Sequence, residues 1–137
     1  MSTPNLGTLV DRVPIKGSQD VVLCRFKGKQ QAEQLGFASR DIIRISTAVS
    51  ELARNIIQHA KASGEISFYK ASSEGKIGIG ILASDTGIGL SNPDSVLQQS
   101  NSIMSGGLYG TKKISHEFAI DSNVGRGTRV YFIRWLS

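Results

Sequence analysis

The sequence predicts an α/β fold, a two-layer sandwich in which a mixed, mostly antiparallel sheet is covered by helices on one face. Three observations support this prediction. Apolar residues recur at three- and four-residue steps over 42–56, which is typical of a helix with one buried face. Two short segments, 65–70 and 76–84, flank a glycine-containing stretch and predict a β-hairpin. Near the C-terminus, alternation over 128–136 predicts a further strand.

The first half of the chain is expected to hold one strand and two helices. Residues 9–15 are a possible strand, and residues from about 19 to 35 predict a helix that Gly36 closes as its C′ residue. Ser39 is the expected N-cap of the second helix. The apolar stripe of that helix consists of Ile42, Ile45, Val49, Leu52 and Ile56.

The predicted hairpin fixes which residues face the helices. Successive side chains of a strand point to opposite faces, so Ile77, Ile79 and Ile81 should share the helical side, with Gly78 and Gly80 on the other. Residues 71–75 are expected to form the loop of this hairpin.

The C-terminal half is expected to contain a long polar loop or lid over 89–107, then a short helix from Gly110 and Thr111 to about Phe118. A final hairpin should pair 119–123 with 128–136. In its second strand Thr128, Val130 and Phe132 should face the helices. The opposite row of Tyr131, Ile133 and Trp135 has two open interpretations, an exposed interface or a cover over Gly78 and Gly80.

Composition sets the broad class of the protein. With 137 residues, 39% hydrophobic and 20% charged, the chain predicts one ordinary soluble domain. We expect a cytoplasmic protein, because the start has no signal-peptide pattern and no apolar run is long enough to span a membrane. The net charge of +5 is scattered, which favours ATP or an acidic protein over nucleic acid. The lone Cys24 is interpreted as a buried hydrophobe.

Two sequence elements suit a purine base. Asp85 shares the parity of the inward isoleucines, so its carboxylate should emerge beneath the helices, where it could accept a hydrogen bond from an adenine amine. Gly87 and Gly89 would let the main chain approach a flat ring. The Thr128 hydroxyl could bond a ring nitrogen or a bridging water. Each element also has a plain structural explanation, as a turn or a strand residue.

Other residues suit phosphate chemistry. Glu51 and Asn55 are one helical turn apart beside the apolar stripe, so they should form a pocket wall. The amide oxygen of Asn55 could ligate Mg²⁺, and Glu51 could act as a general base in phosphoryl transfer. A solvated helix face is the alternative interpretation. The glycine-rich start of the next helix favours phosphate, and its residues are Gly106, Gly107, Leu108, Gly110 and Thr111.

In order along the chain, E-x-x-x-N at 51–55, D-x-G-x-G at 85–89 and G-T at 127–128 resemble the nucleotide pocket of the GHKL ATPase and kinase superfamily. Within it, the runs 47–56 and 107–118 look like those of RsbT-type switch kinases, small relatives of the anti-sigma kinases RsbW and SpoIIAB. The likeness extends from about Val10 onward. One departure is that 102–106 lacks the G-x-G common in family lids.

The resemblance implies an α/β sandwich that is a single ATP-binding kinase domain over residues 1–137. It implies Mg-ATP-dependent phosphorylation of a Ser or Thr on a STAS-domain protein of the stressosome type, and activation of a PP2C-type phosphatase by the free kinase. A homodimer is possible. Two alternatives are an anti-sigma factor of the RsbW or SpoIIAB type and a non-catalytic, nucleotide-dependent binding switch.

Overall fold

The computed structural model of the protein describes residues 4–59, 64–86, 110–123 and 127–136. Two helices and five strands make up most of this structure. In chain order they are β1 (Thr8–Ile15), α1 (Ser18–Leu35), α2 (Ser39–His59), β2 (Gly64–Ser73), β3 (Lys76–Asp85), β4 (Glu117–Asn123) and β5 (Gly127–Trp135). Residues 110–114 are helical and lead into β4.

The five strands form one sheet in the order β1-β2-β3-β5-β4. Every neighbouring pair within the described residues is antiparallel, and β1 carries an irregularity between Leu9 and Asp11. The last strand, β5, lies between β3 and β4, so the ends of β3 and β5 meet in the middle of the sheet. The predicted two-layer α/β class is confirmed. The prediction was a mixed, mostly antiparallel sheet, and the described strands pair only in antiparallel fashion.

The main core lies between the sheet and the two helices. The predicted stripe of α2 supplies Ile45, Val49, Leu52 and Ile56, which meet Ile79 and Ile81 of β3 and Val130 and Phe132 of β5. The helices approach each other closely at Gly28, where an added Cβ would lie 3.1 Å from a methyl group of Val49. An ion pair of 2.9 Å between Lys27 and Asp11 joins α1 to β1. None of the helices in the described ranges is both long and apolar enough to cross a membrane.

The outer face of the sheet has a smaller core of its own. Leu6, from the segment before β1, packs with Ala71 and Ile133, and Ile133 is only 1% exposed. The glycines of β3 make room for this layer, since an added Cβ at Gly78 would lie 2.8 Å from the Trp135 ring and one at Gly80 would lie 2.8 Å from the Leu6 carbonyl oxygen. Trp135 therefore covers Gly78, whereas Leu6 covers Gly80. The β5 row packs into this outer core, which favours the covering interpretation over an exposed interface.

Several predicted boundaries are wrong by short distances. The β2–β3 loop is only Glu74 and Gly75, both with positive φ (52° and 81°), as in the tight turns that match strand twist. The first turn of α2 closes on the Ala38 carbonyl, so Ala38 occupies the N-cap position and Ser39 is the first helical residue.

The predicted helix to about Phe118 ends earlier, with residue 114. The His116 amide donates to the Ile133 carbonyl (2.8 Å), and strand pairing with β5 begins at Glu117. Pairing with β5 therefore takes backbone groups that a longer helix would have used. The glycine that ends α1 is as predicted, because Gly36 has φ 96° and its amide bonds back into the last turn.

Candidate functional site

A polar cavity of about 330 Å³ opens where β3 ends and β5 begins. Its lining consists of Ser84, Asp85, Thr86, Asp121, Gly127, Thr128 and Arg129. Two of the predicted site residues, Asp85 and Thr128, therefore border one cavity although they are far apart in sequence. The sheet order explains this, because β3 and β5 are neighbours and the Asp85–Thr128 pair lies at the end of their shared ladder.

Asp85 and Thr128 are in direct contact. The Thr128 amide donates to Asp85 Oδ1 over 3.2 Å, and both residues are half-buried. A carboxylate has two oxygens that together accept about four hydrogen bonds, so this contact uses only part of its capacity. The bond fixes the Asp85 side chain at the cavity wall.

Gly127 brings the two strands this close together. Its φ is 97°, in the region that favours glycine, and a Cβ at this position would lie 2.1 Å from the Asp85 carbonyl oxygen. The same Cβ would be 2.9 Å from the Cα of Thr86. The glycine of the G-T pair therefore allows β5 to approach the end of β3 beside the cavity.

Ser122 contacts two residues of the cavity lining, which the sequence did not predict. Its hydroxyl lies 2.8 Å from the Thr128 hydroxyl and donates to the Gly127 carbonyl over 3.2 Å. The predicted hairpin started its second strand at Thr128, which would pair Thr128 with Asn123. In the structure Gly127 is the first strand residue and Ser122 pairs with Thr128, and a slip of one residue moves a side chain to the other face.

Asp85 emerges beneath α2, as its parity predicted. Gly64 lies opposite Asp85 in the β2–β3 ladder, and a Cβ there would be 2.5 Å from a methyl carbon of Ile56 and 3.3 Å from Asp85 Cβ. The Asp85 side chain thus stands next to the C-terminal half of α2, one residue beyond Asn55.

Asn55 carries an unsatisfied polar group. Its Nδ2 atom is buried and has no hydrogen-bond partner among the described residues. Leaving such a donor unpaired costs about 1–3 kcal/mol. Asn55 projects about 160° around the helix from Ile57, and Ile57 shares a groove with Val22 of α1. The amide therefore faces away from α1, toward the side of α2 on which a ligand acceptor could satisfy it.

Glu51 lies one turn before Asn55 on the same flank. Its side chain is 37% exposed and forms an ion pair with Arg54. The rise of an α-helix places Glu51 about 6 Å further along the axis than Asn55, in the direction away from Ile56 and Asp85. Asp85, Asn55 and Glu51 thus follow one another along the helix, an order suited to an elongated ligand.

Arg134 makes its contacts at the start of α2, the end of that helix opposite to Asp85. Its guanidinium donates to Asp41 in the first turn of α2 (2.8 Å) and to the Ile114 carbonyl. The side chains of Arg134 and Asp41 are only 16% and 23% exposed. This contact holds the helical segment 110–114 against the start of α2.

The remaining predicted site residues have the following positions. Gly110 is exposed at the start of the 110–114 segment, whereas Thr111 is only 1% exposed. Five lie outside the described residues, namely Gly87, Gly89, Gly106, Gly107 and Leu108. Cys24 is fully buried, and desolvation, followed by the nearby charges of Asp20 and Asp11, raises its pKa to about 12. The interpretation of Cys24 as a buried hydrophobe is confirmed.

Comparison with known proteins identifies the family. No family model matches the chain. Over 127 residues the chain is 39% identical to the serine/threonine-protein kinase RsbT of Bacillus subtilis (strain 168), and the alignment covers 90% of this chain and 95% of that protein. Identity at this level over nearly the whole of both chains agrees with the resemblance seen in the motifs. The chain therefore belongs to the RsbT family of serine/threonine-protein kinases.

Proposed function

We propose that this chain is a single kinase domain that transfers a phosphoryl group from Mg-ATP to a serine or threonine of a STAS-domain protein. In the same proposal, the kinase released from that partner activates a PP2C-type phosphatase in the cytoplasm. Family membership supports protein phosphorylation within a partner switch, and the named partners follow from the resemblance. A homodimer is compatible with the proposal but is not needed for it, because every proposed site residue comes from one chain.

The observation that supports the proposed nucleotide site is the buried Asn55 amide beside the Asp85 cavity, whose Nδ2 has no partner among the described residues. Asn55 lies one residue from Ile56, and Ile56 and the Asp85 side chain both adjoin Gly64. A buried donor that no described residue satisfies is able to bond an acceptor supplied by a ligand or a water. The residues therefore fit a polar ligand that begins at Asp85 and extends along α2.

Asp85 would hold the base. Its carboxylate is fixed by the Thr128 amide and retains capacity to accept from the exocyclic amine of adenine. The backbone around Gly127 contributes shape rather than charge, since the absence of a side chain leaves room for the β3 terminus. Gly87 and Gly89 would complete this end of the pocket in the proposal.

Asn55 and Glu51 would act on the phosphates. Asn55 would hold Mg²⁺ through its amide oxygen, and its Nδ2 would be a donor for a phosphate oxygen. The bound ion would neutralise the charge of the phosphates during transfer. Glu51 would accept the proton of the incoming hydroxyl, and its exposed fraction keeps it accessible to a protein substrate. The glycine-rich start, Gly106, Gly107, Leu108, Gly110 and Thr111, would supply backbone donors.

Calorimetry with Mg-ATP tests the proposed site. Asp85→Asn keeps an oxygen that can accept from the Thr128 amide but removes the charge, so ATP affinity should fall by about 10- to 150-fold in a folded protein. Asn55→Ala should weaken binding chiefly when Mg²⁺ is present. Gln58→Ala is the matched control, because Gln58 is exposed on α2 beside the groove shared with α1. Wild-type affinity in both site variants would refute the placement.

A further inference from the structure

We propose that the outer face of α1, together with the groove between α1 and α2, is a docking surface for an acidic amphipathic helix of a protein partner. The outer face of α1 consists of Val22, Arg25, Phe26 and Lys29. None of these residues belongs to the sequence motifs or to the proposed nucleotide site. The inference therefore does not rest on the proposed function.

Helix α1 has apolar side chains on two opposite sides. Val21 and Cys24 are buried against the core, whereas Val22 and Phe26 are 69% and 54% exposed. A helix that only covers a sheet needs one apolar side. Val22 and Phe26 are one helical turn apart, so they are neighbours on the surface. Single exposed hydrophobic residues are common, but adjacent ones beside a groove are typical of an interface.

The groove gives this face a concave border. It has a volume of about 360 Å³, and its lining consists of Ser18, Val21, Val22, Arg54, Ile57 and Gln58. Val22 lies on one wall, and Ile57, which is 38% exposed, lies on the other. A groove between two helices can receive the apolar side chains that a partner helix projects at positions i, i+3, i+4 and i+7. A flat membrane surface has no such projections.

The charges on the α1 side of the groove are positive. Residues 21–32 include Arg25, Lys27 and Lys29 and no acidic residue. Lys27 forms an ion pair with Asp11 of β1. Arg25 and Lys29 are both exposed, and neither forms an ion pair with a residue that the structure describes. This side of the groove therefore carries positive charge that no acidic residue of the described chain balances.

The other wall does not reverse this charge. Its ionised residue, Arg54, forms an ion pair with Glu51, so these two charges balance each other. A partner with acidic side chains would gain favourable charge pairs and faster association. A second copy of this chain would instead present the same positive face, and the net charge of +5 on each chain would oppose its approach. The charge therefore favours an acidic partner.

Binding of a designed peptide, measured by fluorescence anisotropy, tests the proposal. The probe is a labelled amphipathic helical peptide with leucines along one face and glutamates on both flanks. Its matched control carries lysines in place of the glutamates. The full chain should bind the glutamate peptide at least about tenfold more tightly than the lysine peptide. Added salt should weaken this binding, because exposed charges are screened.

Reversing the charge beside the groove tests the electrostatic part. Arg25→Glu combined with Lys29→Glu should weaken binding of the glutamate peptide by about tenfold or more, because two attractive contacts become repulsive. Arg12→Glu combined with Lys76→Glu is the matched control. It makes the same change of charge at exposed positions on β1 and β3. Thermal unfolding checks that both proteins are folded.

A second pair of variants tests the apolar part. Val22→Ser should weaken binding by about three- to tenfold, because the peptide loses an apolar contact in the groove. Val22 is largely exposed, so the substitution should leave the fold intact. Ile43→Ser is the matched control, since Ile43 is 65% exposed on α2 but does not line the groove.

Weaker binding in the two groove variants, with wild-type binding in the two controls, supports the docking surface. Equal binding of the two peptides, binding of neither, or equal losses in the controls overturns it. Dimerisation of the wild-type chain that Val22→Ser abolishes would assign the face to a second copy. Binding to phosphatidylserine vesicles that the groove charge reversal abolishes would assign it to a membrane, and either result overturns the proposal. ATP affinity should be unchanged in every variant, so failure of the ATP site is distinguishable from failure of this surface.

Discussion

Replacing Gly127 by alanine should destabilise the protein and damage the base end of the site together. The backbone at Gly127 has φ 97°, a conformation that costs an L-residue about 1–3 kcal/mol. The new Cβ would also lie 2.1 Å from the Asp85 carbonyl oxygen, far inside normal contact. Relieving such a contact by backbone shifts costs about another 1–3 kcal/mol. The free energy of unfolding should therefore fall by about 2–6 kcal/mol in total.

Gly75→Ala is the matched control for this prediction. Gly75 also has a positive φ, 81°, but a Cβ there would have no described atom within 4 Å. The Gly75→Ala variant should therefore be destabilised only by the unfavourable φ of its new alanine. Urea unfolding followed by the fluorescence of Trp135, the single tryptophan, measures both variants.

The difference between the two variants isolates the contact with Asp85. We expect Gly127→Ala to be less stable than Gly75→Ala by about 1–3 kcal/mol and to bind ATP more weakly, since Asp85 must move. Equal stability of the two alanine variants, with ATP affinity retained, would show that the close approach of β5 to β3 does not shape the site.

Two further predictions concern the layers around the sheet. Leu6→Ala should lower the free energy of unfolding by about 2–5 kcal/mol, because Leu6 covers Gly80 and packs with Ile133 on the outer face. An unchanged unfolding midpoint in urea would show that this outer layer does not stabilise the protein. Cys24 should react with a thiol reagent only on unfolding at pH 8, because burial raises its pKa to about 12 from 9.0. The folded state holds this proton more tightly than the unfolded state, so the contribution of Cys24 to stability is complete below pH 9 and is lost as the pH rises from 9 toward 12. Rapid labelling of the folded protein, or stability that rises over that interval, would contradict the assignment.

Much of the fold could be predicted from periodicity. The α2 stripe follows one period and faces the core as expected, and so do Ile79 and Ile81 of β3. The prediction was wrong for Ile77, which is 39% exposed at the start of β3. The parity of Asp85 was predictable for the same reason, because β3 stays regular up to its last residue. Local signals that involve only near neighbours, such as Gly36 at the end of α1, were equally readable.

The predictions that failed depend on contacts between distant segments. The end of the 110–114 helix is determined by pairing of β4 with β5, and nothing in residues 115–118 specifies that partner. The contact of Ser122 with Thr128 depends on the register of β4 and β5, in which Gly127 is the first β5 residue and lies close to Asp85. Leu6 could not be assigned to the outer core because a lone leucine before β1 has no periodic pattern.

The sequence allowed the residues of the candidate site to be proposed, but not the contacts between them. Motif order predicted Glu51, Asn55, Asp85 and Thr128 as site residues, and the structure brings Asp85 and Thr128 into contact and places Glu51 and Asn55 on one flank of α2. That the buried Nδ2 of Asn55 has no partner in the described part of the chain is a property of packing and could not be read from the sequence. The Arg134 contact with Asp41 and Ile114 likewise joins three segments that are separate in the chain.

The most direct test of the central claim is transfer of label from γ-labelled ATP to a purified STAS-domain protein. The wild-type kinase should label a serine or threonine of that partner. Glu51→Ala should bind Mg-ATP with nearly unchanged affinity but transfer label about 10²–10⁴-fold more slowly, because it lacks the proposed base. A Glu51→Ala protein that labels the STAS partner at the wild-type rate would contradict the assignment of Glu51, and a wild-type protein that binds ATP but labels no serine or threonine would contradict the proposed function.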